Sequence, residues 1–522
     1  MTYKLTRFLG INTRLPDSAL HVRTRQVQGD YLRNAVNVDI DNAGRLLRRR
    51  DLALVQAMIG AHSLRMAGDT AGHLVRDSVL YAITLPTYSE AVVKLLTSDA
   101  PMSYAEVNDD LYYSNGADSG RITAGVVYPL GLPTPATPAV SVIGGGLLPG
   151  WYQIGVGYAN TTTGEEGGIS ASANIELTSE GGIRVVLPAA TPGATHINVY
   201  LSAANGEVPY LATTAVVGTA QVDLTALATG RESNGRYEGP LPAGRLFLSS
   251  GRLCSYSGDK VYLGLPFRPG YYLPLEGYIA FPTDVSVAVD AQAGIFVAAD
   301  KTYWVPNEGV VSDVLPYGAV PGTEFSYPDR SIYGWFGAKG FVLGKPNGEV
   351  DAVMSDNIAL TPPTSGFSAI FEDDDDTEFR RVVSCGWSMN LANQAVTRYE
   401  DWGVTSASRG YATKSDGVYS FADGGNVTWL VDFGKVDLGN DLLKYLPTAY
   451  LGVESEDTLL LTVNDEYSYP SRTYDEALGI QRIDVGKGLR AAWFGLKLSG
   501  TEGADFRLAY IDFTPATTTR RV

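Results

Sequence analysis

Cysteine and histidine are scarce in this sequence, and their scarcity removes whole classes of chemistry. Only Cys254 and Cys385 occur in 522 residues, so neither a disulfide scaffold nor a zinc ribbon can be built, while a single bridge between the two stays open. The four histidines, His21, His62, His73 and His196, never stand at i, i+4 with a glutamate between, which excludes a zincin helix. His62 and His73 are close enough in sequence to meet in space, although isolated surface or turn histidines are the plainer reading. No Gly-x-Ser-x-Gly on a strand-to-helix elbow, no Walker loop and no dinucleotide fingerprint occurs. Gly144-Gly145-Gly146 precedes a strand rather than a helix, so it reads as a turn and not as a phosphate cradle. No apolar run approaches the ~20 residues of a membrane span. Nor does the opening carry a charged stretch, apolar run and small-residue cleavage site; Met1-Thr2-Tyr3-Lys4 leads directly into Leu5–Gly10. The expectation is a chain without a signal peptide, folded in a reducing cytoplasm.

Basic residues are outnumbered, 40 against 57 acidic, for a net charge of −17 and a pI near 4.7. Such a field repels DNA phosphates, which argues against wrapping or sequence reading and leaves room only for a non-adhesive contact. What is abundant is turn and strand material: 58 Gly, 27 Pro and 31 Tyr. Gly and Pro break helices and Tyr suits half-buried pleated surfaces. With 45% hydrophobic and 19% charged residues the chain is globular, and its length suggests roughly two to four domains.

Along the chain, Asn37-Val38-Asp39-Ile40 alternates, Asp41-Asn42-Ala43-Gly44 turns, and Leu46, Leu47 and Arg48-Arg49-Arg50 follow, so residues 36–55 read as a hairpin. The arginine triplet reads either as an edge strand blunted by solvated charge or as a docking patch for an acidic partner. Short strand-like pieces such as Val79–Ile83 and Asp110–Ser114 continue to a turn at Asn115-Gly116. Pro129, Pro133, Pro135 and Pro138 then form a stiff linker. Strand patterns at Trp151–Tyr158, Ala173–Leu177, Ile183–Leu187, His196–Leu201, Tyr210–Thr214 and Gln221–Leu224 suggest an immunoglobulin-like or fibronectin-like sandwich. Pro240 and Pro242 close it, placing it as an insertion. From residue 243 paired strand patterns recur at spacings of roughly 40–50 residues, compatible with propeller blades although without a Trp-Asp or Kelch signature.

The expected fold is therefore all-β: a β-propeller-like core, an inserted immunoglobulin-like β-sandwich and a C-terminal β domain. The expected segments are 1–135, the N-terminal β segment and first part of the core; 136–242, the sandwich; 243–430, the rest of the core; and 431–522, the C-terminal domain that closes the core or forms a platform.

The sharpest acidic feature is Glu372-Asp373-Asp374-Asp375-Asp376, followed by Glu378 and Arg380-Arg381. Calcium loops interleave their ligands with glycine, whereas this run is solid. It reads as a solvated stretch or, repeated around a channel, as a collar of carboxylates. A glycosidase needs two carboxylates held about 5–9 Å apart beside a cleft, and no compact pair stands out. Tyr271-Tyr272, Trp335-Phe336 and Trp402 could line a sugar groove, but cross-strand packing is the simpler reading. No catalytic residue, cofactor or metal is expected.

Three sets of residues resemble the tail nozzle proteins of short-tailed bacteriophages, the tail tubular protein B group. The first is Phe8-Leu9-Gly10-Ile11-Asn12, then Asn34-Ala35-Val36-Asn37-Val38-Asp39, Gly44 and Leu47-Arg48-Arg49-Arg50, with Asp51 where that family often has glycine. The second is Gly251-Arg252-Leu253, Gly258-Asp259-Lys260-Val261-Tyr262 and Pro266-Phe267-Arg268-Pro269. The third is Gly488-Leu489-Arg490, Trp493-Phe494, Gly503-Ala504-Asp505-Phe506 and Tyr510-Ile511-Asp512-Phe513. The resemblance is one of order and texture along nearly the whole chain. It implies a propeller core and a homohexamer around the tail axis, in a virion tail assembled from protein made in the host cytoplasm. It also implies contacts to a head-to-tail adaptor, to fibre or spike proteins and, at ejection, to the host envelope.

Six copies of −17 sum to −102, so a channel built from them would pass genomic DNA without sequence-specific binding or adhesion to its wall, while loops from each subunit could close the tip and retain the DNA until ejection. Two rivals stay open. One is a hub or tip protein of a long-tailed phage, separable by a tape-measure protein in the same particle. The other is a propeller-type glycan hydrolase or lectin, separable by turnover on surface polysaccharides.

Overall fold

The computed structural model describes every residue except 1–2, 22–27, 233–237, 373–379, 426, 441, 477, 501–502 and 518–522. The protein is all-β. Among the described residues the helical elements are one turn at Asp17–Leu20 and a 3₁₀ turn at Pro328–Arg330, and no helix is long and apolar enough to cross a membrane. Both cysteines are free thiols. The chain divides into two compact units, residues 1–77, 82–91 and 296–522 in the first and 78–81 and 92–295 in the second.

A sheet of fifteen strands dominates the first unit. Its strands are written in plain alternation: Leu459, Leu461 and Val463 point inward from one, Phe494, Leu496 and Leu498 from another, and all are fully buried. Period-two apolar residues of this kind supply one face to a core and leave the other to solvent. The N-terminal segment threads into this C-terminal material. Strand Asn34–Val36 lies between Val396–Arg398, parallel, and Leu430–Val436, antiparallel. Tyr3–Thr6 pairs with Arg507–Phe513. The sheet therefore runs across residue 430 and takes strands from the first fifty residues.

The hairpin expected over 36–55 forms between Val38–Ile40 and Leu46–Arg48. Asp41 Oδ1 accepts hydrogen bonds from the Ala43 and Arg45 amides, both at 2.9 Å, and Gly44 takes the left-handed conformation at φ +80°. The edge-strand expectation needs correction: Leu46–Arg48 is an interior strand, bonded to Val38–Ile40 on one side and to Arg507–Phe513 on the other.

Several of the other sheets are short antiparallel meanders of consecutive strands. One runs Ser103–Val107, Asp110–Ser114, Ser119–Thr123, Val126–Tyr128; another runs Phe325–Tyr327, Ile332–Gly337, Gly340–Gly344, Val350–Ala352. Two-residue turns with both positions at positive φ join many of them, at Asn108-Asp109, Ala124-Gly125 and Ser250-Gly251. This left-handed pairing matches the twist of the flanking strands. In the first unit one meander is completed from far away. Ser406–Ser408, Tyr411–Lys414 and Gly417–Asp423 take their fourth strand, Leu52–Ala57, from the N-terminal segment.

Within the second unit, residues 140–224 form two sheets around one core. Val140–Leu147, Gly181–Val186 and Gln221–Leu224 make the first; Gly150–Asn160 with Glu165–Ile169, Ala173–Leu177, His196–Ser202 and Pro209–Val216 makes the second. Tyr152, Ile154, Ile183, Val185, Ile197 and Val199 fill the space between them. Charged groups bind this pair of sheets to the adjoining meanders. Arg121 Nη2 donates to Glu165 Oε2 at 2.8 Å, and the Tyr271 hydroxyl donates to Glu165 Oε1 at 2.6 Å. Arg268 pairs with Glu238 at 2.5 Å. At Gly168 a Cβ would stand 2.0 Å from the Glu238 carbonyl oxygen, so the joint admits only glycine there.

Candidate functional site

The arginine triplet begins at the end of an interior strand, and two of its three side chains turn into the protein. Arg48 Nη1 donates to the Gly425 carbonyl at 2.5 Å, and its Nε faces Asp505 Oδ1 at 3.4 Å. Arg49 is only 2% exposed. Its guanidinium lies over the rings of Tyr399 and Trp402, at 5.1 and 5.0 Å from their centroids, and faces Asp51 at 3.6 Å. Burial pulls its pKa down, and Tyr399, Asp51 and Asp39 oppose that shift. Arg50 is half-buried. An outside acidic partner could reach the triplet only at Arg50.

Beside Arg49, Asp39 anchors a buried polar knot. Its Oδ1 accepts from the Tyr399 hydroxyl at 2.6 Å and from Ser388 Oγ at 3.2 Å, and its Oδ2 faces Arg381 Nε at 3.4 Å. Burial first, and the Asp39 carboxylate second, push the Tyr399 phenol upward, so it stays a donor. An acid, a phenol, a hydroxyl and a guanidinium lie together here, all of them buried. Their role is to tie the N-terminal hairpin to strands Arg380–Ser384 and Trp387–Asn390.

The accessible polar surface lies nearby in the same unit, where the first strands of successive meanders adjoin. The Leu64 and Met66 amides donate to Ser406 Oγ and Ser408 Oγ at 2.8 and 3.0 Å. Ser368 Oγ donates to the Thr323 carbonyl at 2.6 Å. Serines thus staple strand to strand with side chains short enough to leave space. Beside them lies an open groove of about 710 Å³ whose lining includes Asp69, Ser326, Tyr327, Ser368, Glu372 and Arg409.

Glu372 ends strand Ser368–Glu372 in solvent and pairs with Arg380 Nε at 2.6 Å. That partner chiefly holds its carboxyl below the usual range, and the Arg380 guanidinium lies 5.2 Å over Tyr327. Asp373, Asp374, Asp375 and Asp376 lie outside the described residues. Sequence reasoning had no means of finding Asp69 or Arg409; both sit in turns whose only local signal is a nearby glycine, Gly68 and Gly410, at φ +75° and +80°.

The aromatics considered for a sugar groove are mostly packed away. Trp335 and Phe336 are fully buried, the first against Phe296 and the second edge-on to Phe341. Tyr271 and Trp402 are buried as well.

The histidines are dispersed: His21 Nε2 meets the Phe433 carbonyl at 2.8 Å and His196 Nδ1 meets Thr195 Oγ1 at 2.9 Å. His62 and His73 lie on paired strands but not opposite one another; His62 faces Val75, and His73 faces Arg65. Among the described residues no cluster of His, Cys, Asp and Glu could hold a metal ion.

His73 carries a pH dependence. Burial, then the Arg65 charge, lower its pKa from the ordinary 6.5. A base depressed in the fold is protonated more readily when unfolded, so its stability contribution is complete above about pH 6.5 and declines as pH falls towards the folded value. We expect His73→Gln to flatten the melting temperature between pH 7.5 and 5 relative to the parent chain. An unchanged slope would remove His73 as its source.

No protein-family model matches the chain, and no curated protein does. Solved structures align with it at low identity. They include the extracellular domain of a one-component system from B. thetaiotaomicron, at 10% identity over 94% of this chain and 93% of that one, with a TM-score of 0.16. The extracellular domain of a hybrid two-component system from the same organism aligns at 10% identity over 98% and 68%, with a TM-score of 0.22. An exo-β-1,3-galactanase from Phanerochaete chrysosporium aligns at 11% identity over 89% and 100%, with a TM-score of 0.16. At such TM-scores the superpositions carry no argument about this chain, whose reading rests on its own residues.

Proposed function

We propose that this protein is a structural subunit of a bacteriophage tail, forming the distal nozzle ring through which DNA leaves the particle. In this reading the four-stranded meanders are blades of a propeller-like core, and the meander completed by Leu52–Ala57 is its closing blade. Residues 136–242 are an inserted immunoglobulin-like sandwich, and the fifteen-stranded sheet is a platform that docks an adaptor and fibres. The reading draws on the resemblance of the N-terminal residues. It draws also on where those residues lie, because Phe8, Ile11, Ala35, Val38 and Asp39 are all buried in the first unit, as the framework of a structural subunit would be.

The observation that carries the proposal is the groove beside the first strands. A polyanion is held by arrays of Lys and Arg that displace its counterions. Here the lining offers Arg409 against Asp69 and Glu372, in a chain of net charge −17. Besides these, DNA would meet serine hydroxyls and the apolar side chains of Phe325, Phe367, Ile370 and Phe421, none of which displaces its counterions, and it would pass.

Electron cryomicroscopy of purified particles tests this. The expected result is six copies of this fold in a ring at the distal end of the tail, below an adaptor, with strand Ser368–Glu372 of each copy facing the lumen. A particle with no axial pore lined by this chain, or the chain found only as a monomer outside the particle, would overturn the proposal.

A further inference from the structure

The chain has seven tryptophans, and only Trp151 is exposed, by 53%. It stands near the start of strand Gly150–Asn160 in a setting that fixes its backbone. The Trp151 amide donates to Asn205 Oδ1 at 3.1 Å, and the Asn205 amide donates to the Trp151 carbonyl at 2.8 Å. Asn205 adopts the left-handed conformation at φ +58°. Gly150 next to it is at φ +149°, where a Cβ would crowd Asn205 Nδ2 at 3.0 Å. The following residue, Tyr152, is buried, with its hydroxyl donating to the Leu148 carbonyl at 2.8 Å. The indole is therefore presented outward from a rigid base.

Alternation puts Gln153 on the same face as Trp151, and across the ladder Gln153 stands opposite Asn174. With Asn205 and Glu207 these side chains line a groove of about 360 Å³. A flat aromatic surface ringed by carboxamides and a carboxylate has a specific complement. A pyranose offers an apolar face of C–H bonds that lies against an indole. Its rim of hydroxyls, each both donor and acceptor, matches amides that do both and a carboxylate that accepts. The base of a nucleotide would stack equally well, but the nucleotide's phosphates would meet Glu207 in a chain of net charge −17. An alkyl chain would lay apolar carbon against the Asn174 carboxamide and the Glu207 carboxylate, whose desolvation it could not repay.

We infer that this groove binds a neutral carbohydrate, one sugar ring stacked on Trp151 and hydrogen-bonded by Gln153, Asn174 and Glu207. The inference stands apart from the nozzle reading, since a sugar-binding sandwich is compatible with any address.

Saturation-transfer NMR on the full chain, with the methyl glycosides of glucose, galactose, mannose and N-acetylglucosamine as probes, decides it. At least one glycoside should receive saturation at its ring C–H protons. Trp151→Ala should weaken that binding by about tenfold or more, and Asn174→Ala by roughly threefold to tenfold, with unchanged melting temperatures because both side chains are exposed. Should Trp151→Ala fail to fold, Asn174→Ala carries the test alone. No transfer to any of the four glycosides, or transfer undiminished in the folded variants, overturns the inference.

Discussion

Asp39→Ala is expected to destabilise the first unit by about 3–5 kcal/mol, the cost of breaking a buried ion pair by removing one partner. The carboxylate accepts from Tyr399 and Ser388 and faces Arg381, all of them buried. Without it the Arg381 guanidinium keeps its desolvation cost and loses its counter-charge, and the Tyr399 hydroxyl is left with no acceptor. Arg49, packed against the ring of the same tyrosine, keeps Asp51 as its own counter-charge. Tyr399→Phe deletes one hydrogen bond and no charge, so about 1 kcal/mol is expected. Urea unfolding of the two variants beside the parent chain measures the difference. Equal, small losses in both would show that the ion pair contributes little and that packing alone holds the hairpin.

Trp429→Ala should cost a similar ~3–5 kcal/mol, through a cavity rather than a charge. The indole is 1% exposed and lies 4.0 Å from the Phe506 ring, tilted by 31°. Its Nε1 donates to the Ala504 carbonyl at 2.7 Å. Gly500 makes room for it: a Cβ there would stand 2.7 Å from the same nitrogen. Trp429→Phe keeps most of the apolar volume but leaves the Ala504 carbonyl unpaired, so a loss between that of the alanine variant and none is expected. Thermal unfolding followed by near-ultraviolet circular dichroism reads both. If the alanine variant melts with the parent, this part of the sheet does not set the stability of the unit.

Much of the local structure is legible from residue order. The alternation in Leu459–Val463 becomes a strand with every second side chain buried. Asn115-Gly116 becomes a turn in which the Asn115 side chain accepts from the Ala117 and Asp118 amides, at 3.1 and 2.6 Å. The strands expected between 151 and 224 lie within a residue or two of their places. The candidate sites fared differently. The arginine triplet looks from its sequence like surface charge, because nothing local tells that Gly425 meets Arg48 or that Tyr399 and Trp402 pack against Arg49. The exposed sugar-type surface belongs to Trp151, not to the aromatics singled out by their neighbours.

Residue order by itself determined that this chain is a succession of short strands and tight turns, acidic and poor in cysteine and histidine. Alternating side chains and left-handed turn residues are properties of a few adjacent positions, and they need no distant partner to be expressed. Tertiary structure decided which strands lie side by side, that Leu52–Ala57 completes a sheet with Gly417–Asp423, and that Asp39 meets Arg381 and Tyr399 in the dark. A period of two states which face of a strand is buried but not what buries it. That choice belongs to the packing of segments more than three hundred residues apart.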